Sequence, residues 1–89
     1  MVKMLVRNRV KDYHHWRQIF DEEEAPGSAI GLSLVDLWRD IDDPNNVFFM
    51  FEVADVERAR AFLADPRSAE VGETAGVIDG EFHFIEQAL

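Results

Sequence analysis

The chain contains no cysteine. That excludes a disulfide staple, a thiolate nucleophile and a thiolate metal site, and it fits a reducing cytoplasm, the location expected here. Long apolar runs are also missing. The longest, Val47 to Phe51, is far too short to cross a bilayer, so no membrane association is expected. No signal-peptide pattern opens the chain, because Lys3, Arg7 and Arg9 break up its first apolar residues. Basic residues are scarce: 9 Lys and Arg stand against 18 Asp and Glu, a formal net charge of −9. Such a surface repels phosphate backbones, so nucleic acid is not an expected partner. No low-complexity tract or internal repeat divides the 89 residues, which make one domain, 1–89. A chain this small buries only about 60–65% of its unfolded surface and is marginal alone.

What is present is a set of short, well-punctuated apolar segments. Met4 to Val10 alternates, with Met4, Val6, Asn8 and Val10 on one side, and reads as a strand. Asp12 stands as a helix N-cap, followed by Tyr13, Trp16, Ile19 and Phe20 at helical spacing. The acidic run Asp21 to Glu24 opposes the helix dipole, and Pro26-Gly27 is expected to end the segment, with one further turn over Ser28 to Gly31. Leu32 to Asp40 reads as a second strand with mixed faces, which suits an edge. The turn Asp42 to Asn46 leads into Val47 to Val53, the clearest strand in the chain, apolar on both faces. Asp55 caps a second helix with Val56, Ala59, Phe62 and Leu63 as its stripe. Pro66 opens a short helix to about Thr74, and Gly76 fits its C′ position. Glu81 to Glu86 is the last strand.

The order β-α-β-β-α-β is that of a ferredoxin-like α+β unit: a four-stranded antiparallel sheet with the helices on one face. The apolar set Met4, Val6, Phe49, Phe51, Phe82 and Phe84 belongs under the helices. Leu5, Phe48, Met50 and Ile85 fall on the other face, among Arg7, Arg9, Glu52 and His83. Nothing in the chain remains to cover that face, whose area is about 400 Å². Covering half of it contributes roughly 5 kcal/mol per chain before association costs. A homodimer packed sheet to sheet is therefore expected, with Arg7 or Arg9 pairing with Glu52 or His83 at its rim.

Three segments carry a resemblance: Met4-Leu5-Val6-Arg7-Asn8-Arg9-Val10 running into Asp12-Tyr13-His14-His15-Trp16, then Arg39 to Asn46, then Asp55 to Phe62. Together they resemble small uncharacterised bacterial proteins of the dimeric α/β-barrel superfamily, which also holds antibiotic-biosynthesis-type and haem-degrading monooxygenases, muconolactone isomerase and stress-responsive barrel proteins. The resemblance covers nearly the whole chain and implies fold more than chemistry. It implies a homodimeric α/β barrel with a ligand between each subunit's sheet and its own helices. It also implies a role for Asn8: haem-degrading members carry a similar Asn-Arg pair on the first strand, with the Asn directed into the pocket. Those members also use a Trp and a haem-ligating His near the second helix. Val56 to Thr74 contains neither, so no cofactor is expected.

Asn8 is the polar residue among aromatic walls, where an amide can orient a carbonyl or donate to a developing enolate, or can simply satisfy a backbone group at the strand's end. Trp16, Phe20, Phe49, Phe51 and Phe84 are the candidate ligand-binding residues, with Tyr13 beside them; the bland alternative is plain core. Asn8 and His15 are the weak candidates for catalysis. His14 and His15 are adjacent on a helix, so their side chains diverge by about 100° and do not share a metal. His83 falls on the outer sheet face. No spacing of His, Asp or Glu suggests a metal site. The leading expectation is a protein that binds a small apolar or aromatic molecule between sheet and helices. The rivals are a cofactor-free monooxygenase or isomerase acting on an enolisable aromatic or polyketide-like compound, and a non-catalytic interaction protein with a filled core.

Overall fold

The structure, a computed structural model, describes the backbone of residues 1–89 and the side chains of all but residues 24–29. Its elements are β1 (Lys3–Val10), α1 (Tyr13–Ala29), β2 (Leu32–Arg39), β3 (Asn46–Val53), α2 (Val56–Ala64), α3 (Pro66–Thr74) and β4 (Val77–Ile85). The strands form one antiparallel sheet in the order β2-β3-β1-β4, the ferredoxin-like arrangement.

Local chemistry starts each helix. The Asp12 carboxylate accepts from His14 N–H at 3.0 Å, and Asn45 Oδ1 accepts from Tyr13 N–H at 3.0 Å, so two of the free donors of α1 are satisfied. Asp55 accepts from Arg58 N–H at 3.1 Å and starts α2. Asp65 accepts from Arg67 N–H at 2.9 Å and starts α3, with Pro66 just inside. Gly76 follows α3 at φ +81°, a backbone state that glycine adopts without strain.

Two element ends differ from the sequence expectation by more than one residue. The first is the end of α1, which lies past Pro26-Gly27, at Ala29. The stop comes at Gly31, whose φ of +83° cannot continue a right-handed helix and whose carbonyl accepts from Ala54 N–H. The second is the start of β4, at Val77 rather than Glu81. Asp79 and Gly80 are poor strand formers, yet they pair with Arg9 and Asn8 of β1.

The mixed faces of β2 have a simple cause. Leu34 opposes Phe51 and Asp36 opposes Met50, so Val35 is an extra, bulged residue. Beyond it the side-chain phase inverts. Leu32, Leu34 and Leu37 share the helix side, while Asp36 and Trp38 join Met50 and Phe48 on the outer side.

Met4, Val10, Trp16, Leu32, Val47, Phe49, Phe51, Val53, Ala59 and Ala75 form the buried core between sheet and helices. The molecule is 19 Å through its thinnest axis, which fits one sheet plus one helix layer. On the outer face Val35, Trp38 and Ile85 are exposed, and Leu5, Phe48 and Met50 are half-buried. Charged residues of that face pair within the chain. Arg7 Nε meets Glu81 at 3.1 Å and Arg7 Nη2 meets Asp79 at 3.0 Å. Lys3 lies 3.7 Å from Glu52, Arg9 lies 3.9 Å from Asp43, and His83 lies 3.0 Å from Glu81. Glu81 is therefore held below the ordinary glutamate range, first by the hydrogen bond from His83 and then by Arg7.

Candidate functional site

The helices do not seal the inner face of the sheet. Between α1, α3 and the strands lies an open cavity of about 1250 Å³. Its floor is Met4, Val6 and Asn8 of β1, Phe49 and Phe51 of β3, and Phe82 of β4. Phe82 shows how open it is: on the helix side of the sheet, it is still 47% exposed.

The aromatic wall follows from two periodicities meeting. Trp16 and Phe20 are four residues apart on α1, so they stack along one helix face with centroids 4.7 Å apart. Phe49 and Phe51 are two apart on β3, so they share a sheet face, with ring planes at 88°. Phe20 meets Phe49 edge-on at 5.1 Å, and Trp16 approaches Phe49 at 5.6 Å. These are the favoured offset and edge-to-face geometries of aromatic pairs. Trp16 is nearly fully buried, so its ring is taken up in core packing, and Phe20 and Phe82 are more accessible rings of the lining.

Asn8 sits mid-sheet, opposite Val47 on one side and Gly80 on the other. Its amide oxygen occupies space that any side chain at residue 80 would claim: a Cβ there lies 2.7 Å from Asn8 Oδ1 and 2.6 Å from the Arg7 carbonyl oxygen. The glycine thus lets the Asn8 amide lie across β4. The sequence pattern does not mark Gly80 as part of the site, because it places the start of the strand one residue later, at Glu81.

The remaining candidates separate. Trp16, Phe20, Phe49, Phe51 and Asn8 all line the cavity. Phe84 lies outside its lining, with the Arg60 guanidinium 4.7 Å over its ring. His15 is exposed and also outside the lining; its Nε2 is 2.8 Å from the Thr74 carbonyl and ties α1 to the end of α3. A donor to that carbonyl means Nε2 carries the proton. Tyr13 packs under Arg39, whose guanidinium lies 3.7 Å from the ring centroid. His14 rests edge-on against Tyr13, and His83 is on the outer face against Glu81. Sequence reasoning missed the contribution of α3: Asp65, Arg67, Ser68, Glu70 and Glu73 border the mouth. Short-range patterning places those residues on a helix but does not say that the helix stands over the sheet's open side. Among the described residues no group of three His, Cys, Asp or Glu is arranged to hold a metal ion.

Chemically, this arrangement can hold a flat apolar body and offer it one neutral amide. Among the described residues, the titratable groups bordering the cavity are carboxylates and Arg67, with no histidine among them.

No family model matches the chain, and no curated protein does. Solved structures do. One described as an antibiotic biosynthesis monooxygenase aligns over 100% of both chains at 19% identity with a TM-score of 0.71. An uncharacterised NIPSNAP domain protein from Burkholderia xenovorans aligns over 99% of this chain and 95% of its own, at 16% identity and a TM-score of 0.69. A NIPSNAP family protein of unknown function from Agrobacterium tumefaciens aligns over 99% of this chain and 88% of its own, at 19% identity and a TM-score of 0.69. The chain therefore shares the ferredoxin-like α+β fold of these structures.

Proposed function

We propose that this protein binds a small, flat, apolar or aromatic molecule between its sheet and its helices, and that it works as a homodimer joined through the outer sheet face. The observation that carries the reading is the open cavity walled by Trp16, Phe20, Phe49 and Phe51 with the Asn8 amide on its floor. Ligand sites are mostly apolar with a few placed polar groups, and this one has that composition. An unfilled recess of this size also speaks against an interaction protein whose interior is packed with its own side chains. The exposed Trp38, Val35 and Ile85 on the outer face support the homodimer, since an apolar patch of that kind is normally covered.

A second reading is favoured by Asn8 itself and by the neighbour described as an antibiotic biosynthesis monooxygenase. In it the amide N–H stabilises the enolate of an aromatic substrate that supplies its own electrons to dioxygen or isomerises. The test is a panel of neutral two- and three-ring aromatic ketones and phenols, followed by Trp16 fluorescence and by thermal melting. Binding is expected to weaken by about 1 kcal/mol in Asn8→Ala, the net worth of one hydrogen bond, with unchanged unfolding of the free protein. Silence of the whole panel at millimolar concentration refutes the binding role. Dioxygen uptake with an enolisable member, lost in Asn8→Ala, moves the conclusion to the enzyme.

A further inference from the structure

The inside of the cavity and its mouth differ in charge. Inside, Asn8 is set among Met4, Val6 and the aromatic wall, while the half-buried Ser68 hydroxyl is spent on the Phe62 carbonyl. At the mouth stand Glu23 of α1 and Asp65, Arg67, Glu70 and Glu73 at α3. Asp65 is occupied in capping α3. Glu81 borders the cavity too, but its carboxylate is bound to Arg7 and His83. Capping does not remove the charge of Asp65, so among the described residues the carboxylates of Glu23, Asp65, Glu70 and Glu73 stand against the guanidinium of Arg67, four negative charges minus one positive, or −3. The net charge of the whole chain, −9, has the same sign. Low-dielectric walls focus such a field into the recess.

We infer that the cavity selects its ligand by charge, admitting neutral and cationic aromatic compounds and turning away aromatic carboxylates, sulfates and phosphates. The inference rests on the binding role proposed above. An anion entering this site leaves water for apolar walls, passes the carboxylates of the mouth, and meets a neutral amide at the floor. A single neutral hydrogen bond does not offset the desolvation of a full charge. A neutral carbonyl or hydroxyl suits that amide, which both donates and accepts. A cation gains from the carboxylates and from the accessible rings of Phe20 and Phe82.

The test compares three probes built on one ring system: 2-acetylnaphthalene, 2-naphthoate and 2-naphthyltrimethylammonium. They are titrated into Trp38→Phe protein, so that Trp16 alone reports. At about 10 mM ionic strength naphthoate is expected to bind at least about tenfold more weakly than the ketone, and the gap to narrow toward 0.5 M salt as the mouth charges are screened. Glu70→Lys with Glu73→Lys, both on the exposed side of α3, is expected to narrow the same gap at low salt. Naphthoate binding as tightly as the ketone overturns charge selection and leaves the binding role standing. A gap indifferent to both salt and the lysine pair also overturns it. If none of the three probes binds, the binding role falls and this inference with it.

Discussion

Gly72 and Gly80 make the same substitution, glycine to alanine, a test of opposite signs. In an unstrained position this change stabilises by about 0.4–1 kcal/mol, because the unfolded chain loses freedom. Gly72 is such a position. It lies within α3, and an added Cβ meets Val77 Cγ2 at 3.9 Å, ordinary contact. Helix propensity adds to the same side, so Gly72→Ala is expected to stabilise by about 1 kcal/mol in total. At Gly80 the Cβ meets the Arg7 carbonyl oxygen at 2.6 Å and Asn8 Oδ1 at 2.7 Å. One obstacle is a side chain that can turn away; the other is backbone held in the β1–β4 ladder. Relieving it forces the strands apart, and overpacking of this kind costs typically 1–3 kcal/mol. After the entropic gain is subtracted, Gly80→Ala is expected to destabilise by about 1–2 kcal/mol. For a domain of this length each kcal/mol moves Tm by roughly 4–8 °C. Urea unfolding and thermal melting of both variants, at one fixed protein concentration so that any association contributes equally, give the comparison. Adding Asn8→Gly to Gly80→Ala is expected to recover only the part due to the side chain. A Gly80→Ala protein as stable as the parent, or two variants shifted in the same direction, refutes the reasoning.

Two further outcomes follow from the outer face. Met50→Asp places a charge at the centre of the apolar patch opposite Leu5 and Asp36, and is expected to give lone protomers by sedimentation where the parent gives pairs; a parent that sediments as a single chain at micromolar concentration ends the homodimer proposal. Glu81 has a folded pKa below its unfolded one, so its contribution is complete above the ordinary glutamate range and is lost as pH falls through the lowered value. Glu81→Gln is therefore expected to flatten the acid side of the stability-versus-pH curve and to leave its shape above neutrality unchanged, and an unchanged acid limb contradicts the pairing with His83 and Arg7.

The elements that local chemistry decides were legible. Asp12, Asp55, Pro66 and Gly76 each act within a turn of their own helix, and the alternation of β3 needs no distant partner to be read. What stayed hidden depends on pairing. The inverted phase of β2 comes from Val35 having no counterpart on β3, and the early start of β4 comes from β1 accepting Asp79 and Gly80 into its ladder. The site divides the same way. Asn8, Trp16, Phe20, Phe49 and Phe51 project to one side by simple periodicity, and they meet. His15 and Phe84 lie on the right elements, but a carbonyl of α3 holds one and a guanidinium of α2 covers the other. Such contacts between segments far apart in the chain leave no trace in local spacing.

The bulges reach beyond the protomer. Both outermost strands of the sheet, β2 and β4, carry an unmatched residue, Val35 on one and Ile78 on the other. An interrupted, more strongly twisted margin is a poor template for a further chain. Open-ended growth by strand addition is thereby discouraged at each border, and self-association is directed away from fibres.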